Sequence, residues 1–332
     1  MYYIVSDSTD PYYNLALEQY VFDYLDRKHE YFMLWQNHNT IVVGKHQNTI
    51  QEINLEYVKE NHITVARRLS GGGAVYHDMG NLCFTFIVDG NATGAFDFAS
   101  FCRPVAAALS TMGVAVEISG RNDMTIDGKK FSGNSQYRKH GRIMHHGTLM
   151  FDSNLNVVSN ALRVSQDKIE SKGIKSVRSR ITNIKPYLKT NKEATVDDFR
   201  DELRQYMFKE NDMKGYELTD EDRKTVKRLS DEIYSTWEWN YGASPAYTLR
   251  KTRRIEGCGK IEMLIDTDKQ GCIKDIVFYG DYFSQKDAQE LCDLLKKSKF
   301  EETAIRSALK DVNIQEYFNN IRMEDFISIL MH

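Results

Sequence analysis

Apolar positions change their period several times along the first 120 residues, and each change marks an element. Asp10-Pro11 supplies a capping residue and a first-turn proline ahead of the run NLALEQYVFDYL. In that run Leu15, Leu17, Val21, Phe22 and Leu25 recur at mixed three- and four-residue steps, which predicts a helix with one side buried. Short β-branched and aromatic runs then predict strands at 31–35, 40–43, 63–66 and 82–88, with a glycine cluster at Gly71, Gly72 and Gly73 before the last. Residues 99–112 read as a helix closed by Gly113, and 114–118 as a strand.

The sharpest local signal is Asp127-Gly128 between two short strand-like runs, the dipeptide of a tight hairpin. Alternation along the second run puts Lys130 and Ser132 on one face and Lys129 and Phe131 on the other; with Phe131 in a core, Lys130 points away from it. Residues 143–151 predict a further strand carrying His145, His146 and Thr148. Residues 154–250 read mainly as helices and loops, ending in Trp237-Glu-Trp239-Asn-Tyr-Gly242 and Ser244-Pro245, where a first domain stops. Strands at 261–265 and 272–279 around an Asp-Lys-Gln-Gly turn, then helices near 285–297, 301–310 and 324–331, form a second domain. Strands follow one another instead of alternating strictly with helices, which predicts an α+β chain built on a mixed β-sheet. The expected division is 1–245 and 246–332, in keeping with the length.

Composition narrows the class. With 41% apolar and 27% charged residues the chain sustains a packed core. Lys and Arg number 44 against 47 Asp and Glu, a net charge of −3 that argues against a nucleic-acid-coating surface. The average hides two basic stretches, net +4 over 121–150 and +6 over 168–189, as a phosphate-handling site would need. Five cysteines without a C-x-x-C pair argue against a disulfide scaffold and a structural zinc site. No run of 18 apolar residues is present to span a membrane, and MYYIVSDSTD has no signal-peptide pattern. A soluble protein of a reducing, cytoplasmic compartment is expected.

Four motifs bear on chemistry. In Arg67-Arg68-Leu-Ser70-Gly71-Gly72-Gly73-Ala74-Val75-Tyr76-His77-Asp78-Met-Gly80-Asn81, glycines let backbone N–H groups approach an anion that the arginines neutralise; a plain turn between strands is the competing reading. The spacing fits neither a P-loop nor a dinucleotide fingerprint. Gly120-Arg121-Asn122-Asp123 precedes the hairpin with Lys130, Ser132 and Gly133, where Lys130 is either a solvated lysine or a rigidly placed point charge. Adjacent His145 and His146 face opposite ways and cannot easily share a metal; one packed and one exposed histidine are expected. The basic run from Lys172 to Arg180 is a solvated loop or a mobile clamp over an anion. Cys83 sits in an apolar strand and reads as core, and no cysteine has a matched base in the sequence.

Together these motifs resemble the lipoate–protein ligase A family: NLALE at 14–18, RRLSGGGAVYHDMGN at 67–81, GRNDM at 120–124, KKFSGN at 129–134, HHGTLMFD at 145–152, KGIKSVRSRITN at 172–183 and WEWNYG at 237–242. The final 80-odd residues resemble the family's accessory domain only in length and coarse pattern. The resemblance implies a biotin/lipoate ligase fold, related to class II aminoacyl-tRNA synthetases, with a small α/β C-terminal accessory domain. It implies activation of lipoate by ATP with Mg²⁺ to lipoyl-AMP, then transfer to a lysine of the glycine-cleavage H protein or of an E2 lipoyl domain, with no nucleic-acid or membrane partner. By position, Lys130 matches the essential lysine, shared by both substrates. Arg68, Gly73, Ala74, Val75, Tyr76, Asn81, Asp123, Lys172 and Arg178 match the ATP and adenylate site. Ser70, Gly71, Gly72, His77 and His146 match the lipoate site, with Leu15, Leu17 and Val75 as candidates for its apolar wall. No protein metal ligand is assigned; Mg²⁺ is implied through the ATP phosphates. The alternatives are an octanoyl or lipoyl transferase of the same fold working through a cysteine, a biotin ligase, which the Ser-Gly-Gly-Gly loop disfavours, and a non-catalytic lipoate-binding paralogue.

Overall fold

The computed structural model describes residues 1–90, 96–119, 122–162, 180–241, 249–268 and 271–331. The chain divides into two compact units: Met1–Val43 with Thr49–Leu69 and Ala74–Tyr241, and Gly44–Asn48 with Ser70–Gly73 and Gly242–His332.

The strands of the first unit are β1 (Tyr2–Val5), β2 (Tyr31–Trp35), β3 (Thr40–Val43), β4 (Thr64–Arg67), β5 (Val75–His77), β6 (Asn81–Asp89), β7 (Glu117–Ser119), β8 (Asp123–Ile126), β9 (Lys129–Lys139), β10 (Arg142–Met150) and β11 (Lys214–Tyr216). Among the described residues, eight form one sheet in the order β11-β1-β2-β6-β10-β9-β8-β7, and β4-β3-β5 form a smaller one. Strand β1 runs parallel to β11 and β2, while β2, β6, β10, β9, β8 and β7 follow antiparallel, so the sheet is mixed. Its two faces feed two cores. Phe32 and Leu34 with Leu82, Phe84 and Phe86 pack on helices α2 (Ala99–Thr111) and α3 (Val196–Asn211). Tyr31, Met33 and Trp35 with Cys83 and Ile87 pack on helix α1 (Pro11–Tyr24). Covered on both faces, β2 is buried at every position instead of alternating.

Asp10 caps α1 as its sequence predicts, its carboxylate accepting the Tyr12 N–H at 2.9 Å. One-sided burial does not hold, because α1 touches β6, β4 and the helical stretch from Asp220 to Tyr234, and both Asn14 and Glu18 are buried. The strand expected at 114–118 forms only at Glu117–Ser119. Gly113, at φ +83°, and Val114 instead donate to Ser110 and Leu109 carbonyls and close α2 in a Schellman arrangement. Asp127 and Gly128 have φ of 50° and 70°, as a tight hairpin requires, and His140-Gly141 repeat that geometry between β9 and β10.

The second unit is an antiparallel sheet, β12 (Leu249–Ile255), β13 (Gly259–Thr267) and β14 (Ile273–Gly280), with helices at Gln289–Leu295, Glu302–Ala308 and Met323–Met331. Ile261, Met263, Ile265, Phe278, Leu291 and Phe326 are in its core. Within this unit His46 stacks on Tyr282 at 4.5 Å, and a Cβ on Gly71 would collide with the Tyr282 carbonyl, so that position accepts only glycine. The expected boundary at Ser244-Pro245 lies outside the described residues.

Candidate active site

The apolar-to-polar break NLALE places Glu18 on α1 against the sheet, 1% exposed. A carboxylate so deep needs donors. Thr85 Oγ1 on β6 donates to it at 2.5 Å, and His146 Nδ1 on β10 stands 2.9 Å away. Trp35 Nε1 donates to the same Thr85 hydroxyl at 2.9 Å. The result is a relay Trp35→Thr85→Glu18←His146 bordered by Leu15, Leu17 and Cys83, with Val75 packed against them. Next to it His77, 3% exposed, accepts from Asn37 Nδ2 at 3.2 Å and lies edge-on to Trp35. Burial, with Arg68 and His146 nearby, pulls the His77 imidazole down to about 3, so it is neutral at physiological pH.

His145 and His146 do face opposite ways, but the expected exposed histidine does not exist: both are buried because both sheet faces are covered. His145 stacks on Phe101 and joins Gln136 and Asn134 in a network under α2, where burial holds its pKa well below the usual value.

Arg68 follows β4 and is buried; burial lowers its pKa to about 10 while Glu18 opposes the shift, leaving it cationic. Its guanidinium donates to the Val42 carbonyl at 3.1 Å. Arg67, also buried, donates instead to the Trp239 carbonyl at 2.8 Å and to Thr49 Oγ1 at 2.6 Å, and Trp239 Nε1 returns a bond to the Arg67 carbonyl. The two arginines therefore do different things: Arg67 fastens the WEWN turn to β4, and Arg68 provides charge near Glu18. Val75, Tyr76 and His77 form β5, an edge of the small sheet paired on one side with β3. Ser70, Gly71, Gly72 and Gly73 fall in the second unit. Asn81 is fully buried; its amide donates to Cys83 Sγ at 3.3 Å, and its Oδ1 has no partner among the described residues.

Lys130 lies on β9, 2.7 Å from Asp123 on β8. Alternation fails here. Met124 faces Ser132 and Thr125 faces Lys130, so Phe131 is the extra residue of a β-bulge. Phe131 still points to the core, as expected, but Lys130 does not share a face with Ser132: it lies over Gly133, the register partner of Asp123. Ser132 is fully buried and accepts from Asn134. Beyond β9, Thr182 N–H donates to the Lys130 carbonyl at 2.9 Å. Lys172 and Arg178 lie outside the described residues.

Sequence reasoning missed Glu18, Trp35, Thr85 and Asn37. Glu18 left a faint signal, an acid directly following the apolar Leu15-Ala16-Leu17 and one helical turn before Val21 and Phe22; the others looked like ordinary strand and loop residues. It also missed that Cys83 Sγ stands 3.6 Å from His77 Nδ1. Burial and Glu18 push that thiol well up, so the thiolate–imidazolium pair a cysteine nucleophile needs is strongly disfavoured.

Solved structures of lipoate-protein ligases share this fold. The Plasmodium falciparum LipL1 structure in complex with lipoate matches with a TM-score of 0.79 over 99% of this chain and 98% of that one, at 24% identity. Lipoate-protein ligase A bound with ATP matches with a TM-score of 0.61 over 73% of this chain and 98% of that one, at 22% identity. The Lipoyl protein ligase A/B catalytic domain family matches residues 10–208, the Bacterial lipoate protein ligase C-terminus family matches 244–330, and the chain belongs to this lipoate ligase family. Among curated relatives it is 45% identical to the lipoate-protein ligase LplJ of Bacillus subtilis, over 97% of both chains.

Proposed function

We propose that the protein is an ATP-dependent lipoate–protein ligase. The lipoate carboxylate attacks the α-phosphorus of ATP and pyrophosphate leaves, forming lipoyl-AMP. A lysine amine of an acceptor then attacks the acyl carbon, AMP leaves, and an amide forms. The observation that carries the reading is Lys130: one half-exposed ammonium, fixed by a bulged hairpin and an Asp123 contact, in a chain alike end to end to a ligase. A fixed cation at the junction of carboxylate and α-phosphate lowers their mutual repulsion and stabilises charge that grows on the phosphate oxygens.

The other roles follow from position. The outward edge of β5 at Val75 and Tyr76, with Ala74, offers backbone groups to the adenylate. Arg68 supplies positive charge, and the Asn81 Oδ1, buried with no partner among the described residues, suits a ligand's hydrogen-bond donor. Asp123 stands beside Lys130, where Mg²⁺ arriving as the counter-ion of ATP can meet a carboxylate. Among the described residues no three His, Cys, Asp or Glu side chains gather to hold a metal by themselves. Leu15, Leu17, Trp35 and Val75 belong to one apolar cluster and, in this reading, supply the apolar side of the lipoyl site, with His77 and His146 at its polar end. The roles of Ser70, Gly71, Gly72, Gly73, Lys172 and Arg178 rest on the motifs alone, as does the division into a catalytic domain over 1–245 and an accessory domain over 246–332. The acceptors are E2 lipoyl domains or the H protein, and the setting is cytoplasmic.

Wild-type protein given lipoate, ATP and Mg²⁺ is expected to release pyrophosphate, accumulate lipoyl-AMP and lipoylate a purified E2 domain or H protein. Lys130→Ala is expected to abolish the first step. Absence of any acyl-adenylate from wild type refutes the reading.

A further inference from the structure

Gly133 has a backbone that any residue could adopt: its φ lies outside the left-handed range where glycine is favoured, and it belongs to the regular ladder opposite Asp123. Its missing side chain therefore needs another reason. A Cβ built there would stand 2.9 Å from Lys130 Nζ and 3.0 Å from Lys130 Cε, and among the described residues these are the only atoms beyond its chain neighbours within 4 Å. The bulge at Phe131 rotates Lys130 out of the face it would share with Ser132, and the side chain then runs across the bare backbone of Gly133 to reach Asp123 at 2.7 Å. The Gly133 N–H meanwhile bonds Thr148 Oγ1 at 3.1 Å, which ties this backbone to β10 and leaves no slack beneath the lysine.

We infer that Gly133 is a positioning residue: its bare backbone is the track along which the Lys130 ammonium is laid, and a side chain there displaces the ammonium from its working position without disturbing the fold. This inference rests on the proposed role of Lys130 in adenylate formation. Restoring ordinary separations of about 3.5–4.0 Å against a new Cβ moves the ammonium by roughly 0.6–1 Å. A misplacement of that size costs on the order of 100-fold in rate at a positioned catalytic group.

The test is Gly133→Ala, read three ways. Lipoate-dependent pyrophosphate release should show kcat lowered about 30- to 100-fold with the ATP KM within about threefold, the split expected when only the reacting geometry suffers. Calorimetric affinity for a non-reactive lipoyl-sulfamoyl-adenosine should weaken about tenfold or more, yet the same change in a Lys130→Met background should alter affinity less than about twofold, because the displaced group is gone. Competitive acetylation of Lys130, scored by mass spectrometry without any substrate, should rise to the level of Asp123→Asn, in which the lysine has lost its tether. An equal loss in the Lys130→Met background, or unchanged kcat and unchanged labelling, overturns the inference. So does a variant that fails to fold, since among the described residues the free end of one flexible side chain is all that stands in the way. If wild type neither makes adenylate nor binds the analogue, the functional reading fails, and the labelling arm alone still decides whether Gly133 places Lys130.

Discussion

Acid sensitivity of the first unit provides a quantitative check on the buried histidines. His77 is packed against Trp35, Cys83 and Asn37, with Arg68 and His146 close enough to repel a proton, and burial sets its pKa near 3 instead of 6.5. The unfolded chain takes up a proton on this ring between those two values and the folded chain does not. Stability is therefore full above about pH 6.5 and falls as the pH drops from 6.5 towards 3, at about 1.4 kcal/mol per pH unit for one ring. Between pH 6.5 and 5 His77 alone costs about 2 kcal/mol. His145, lowered well below its usual value by burial, adds a parallel slope, so the two together approach about 2.7 kcal/mol per unit. The carboxylates Asp97, Asp198 and Asp222, whose pKa values are lowered from 3.8, begin to cost stability only as the pH nears 3.8, below the pH 7.5–5 range of the assay. The assay is urea unfolding from pH 7.5 to 5 followed by tryptophan fluorescence; Trp35, Trp237 and Trp239 are the chain's three tryptophans and all lie in the first unit, so the signal reports that unit alone. His77→Gln keeps an acceptor for Asn37 and should remove about half of the slope. Wild type and His77→Gln losing stability in parallel would refute the argument that His77 is held neutral.

Two further changes separate structural from chemical roles. Arg67→Ala strips donors from the Trp239 and Asn240 carbonyls and from Thr49 in a buried setting, and should cost about 3 kcal/mol by urea unfolding; a loss under about 1 kcal/mol would mean that the WEWN turn is held by other contacts. Cys83→Ala should retain adenylate formation within about threefold, since the buried thiol is held protonated; ATP-independent acyl transfer lost in this variant would instead favour the cysteine-transferase reading.

Much of the first unit was legible as local pattern. Strands 31–35 and 40–43, the capped start of α1 and the Asp127-Gly128 hairpin all formed where residue spacing placed them. The failures share a cause. Strand β9 runs to Lys139, well past the apolar signal, because Ser132, Asn134, Gln136 and Arg138 are buried in hydrogen-bonded networks instead of facing water. Strand β12, LRKTRRI, was hidden by its charges, which include Arg250 paired to the buried Glu262 and Arg254 paired to Asp281.

The candidate site divides along the same line. Residue types and short spacings determined which side chains were available: a glycine loop after paired arginines, a lysine on a hairpin, adjacent histidines on a strand. These depend on neighbours one to four positions away, so a linear reading recovers them. Only the tertiary structure decided that Glu18 meets His146 across 128 residues and Thr85 across 67, and that a single bulge carries Lys130 over Gly133. A polar group enters a core only when distant partners satisfy it, and a bulge is set by pairing with another strand. Neither condition is written in the local period of the chain.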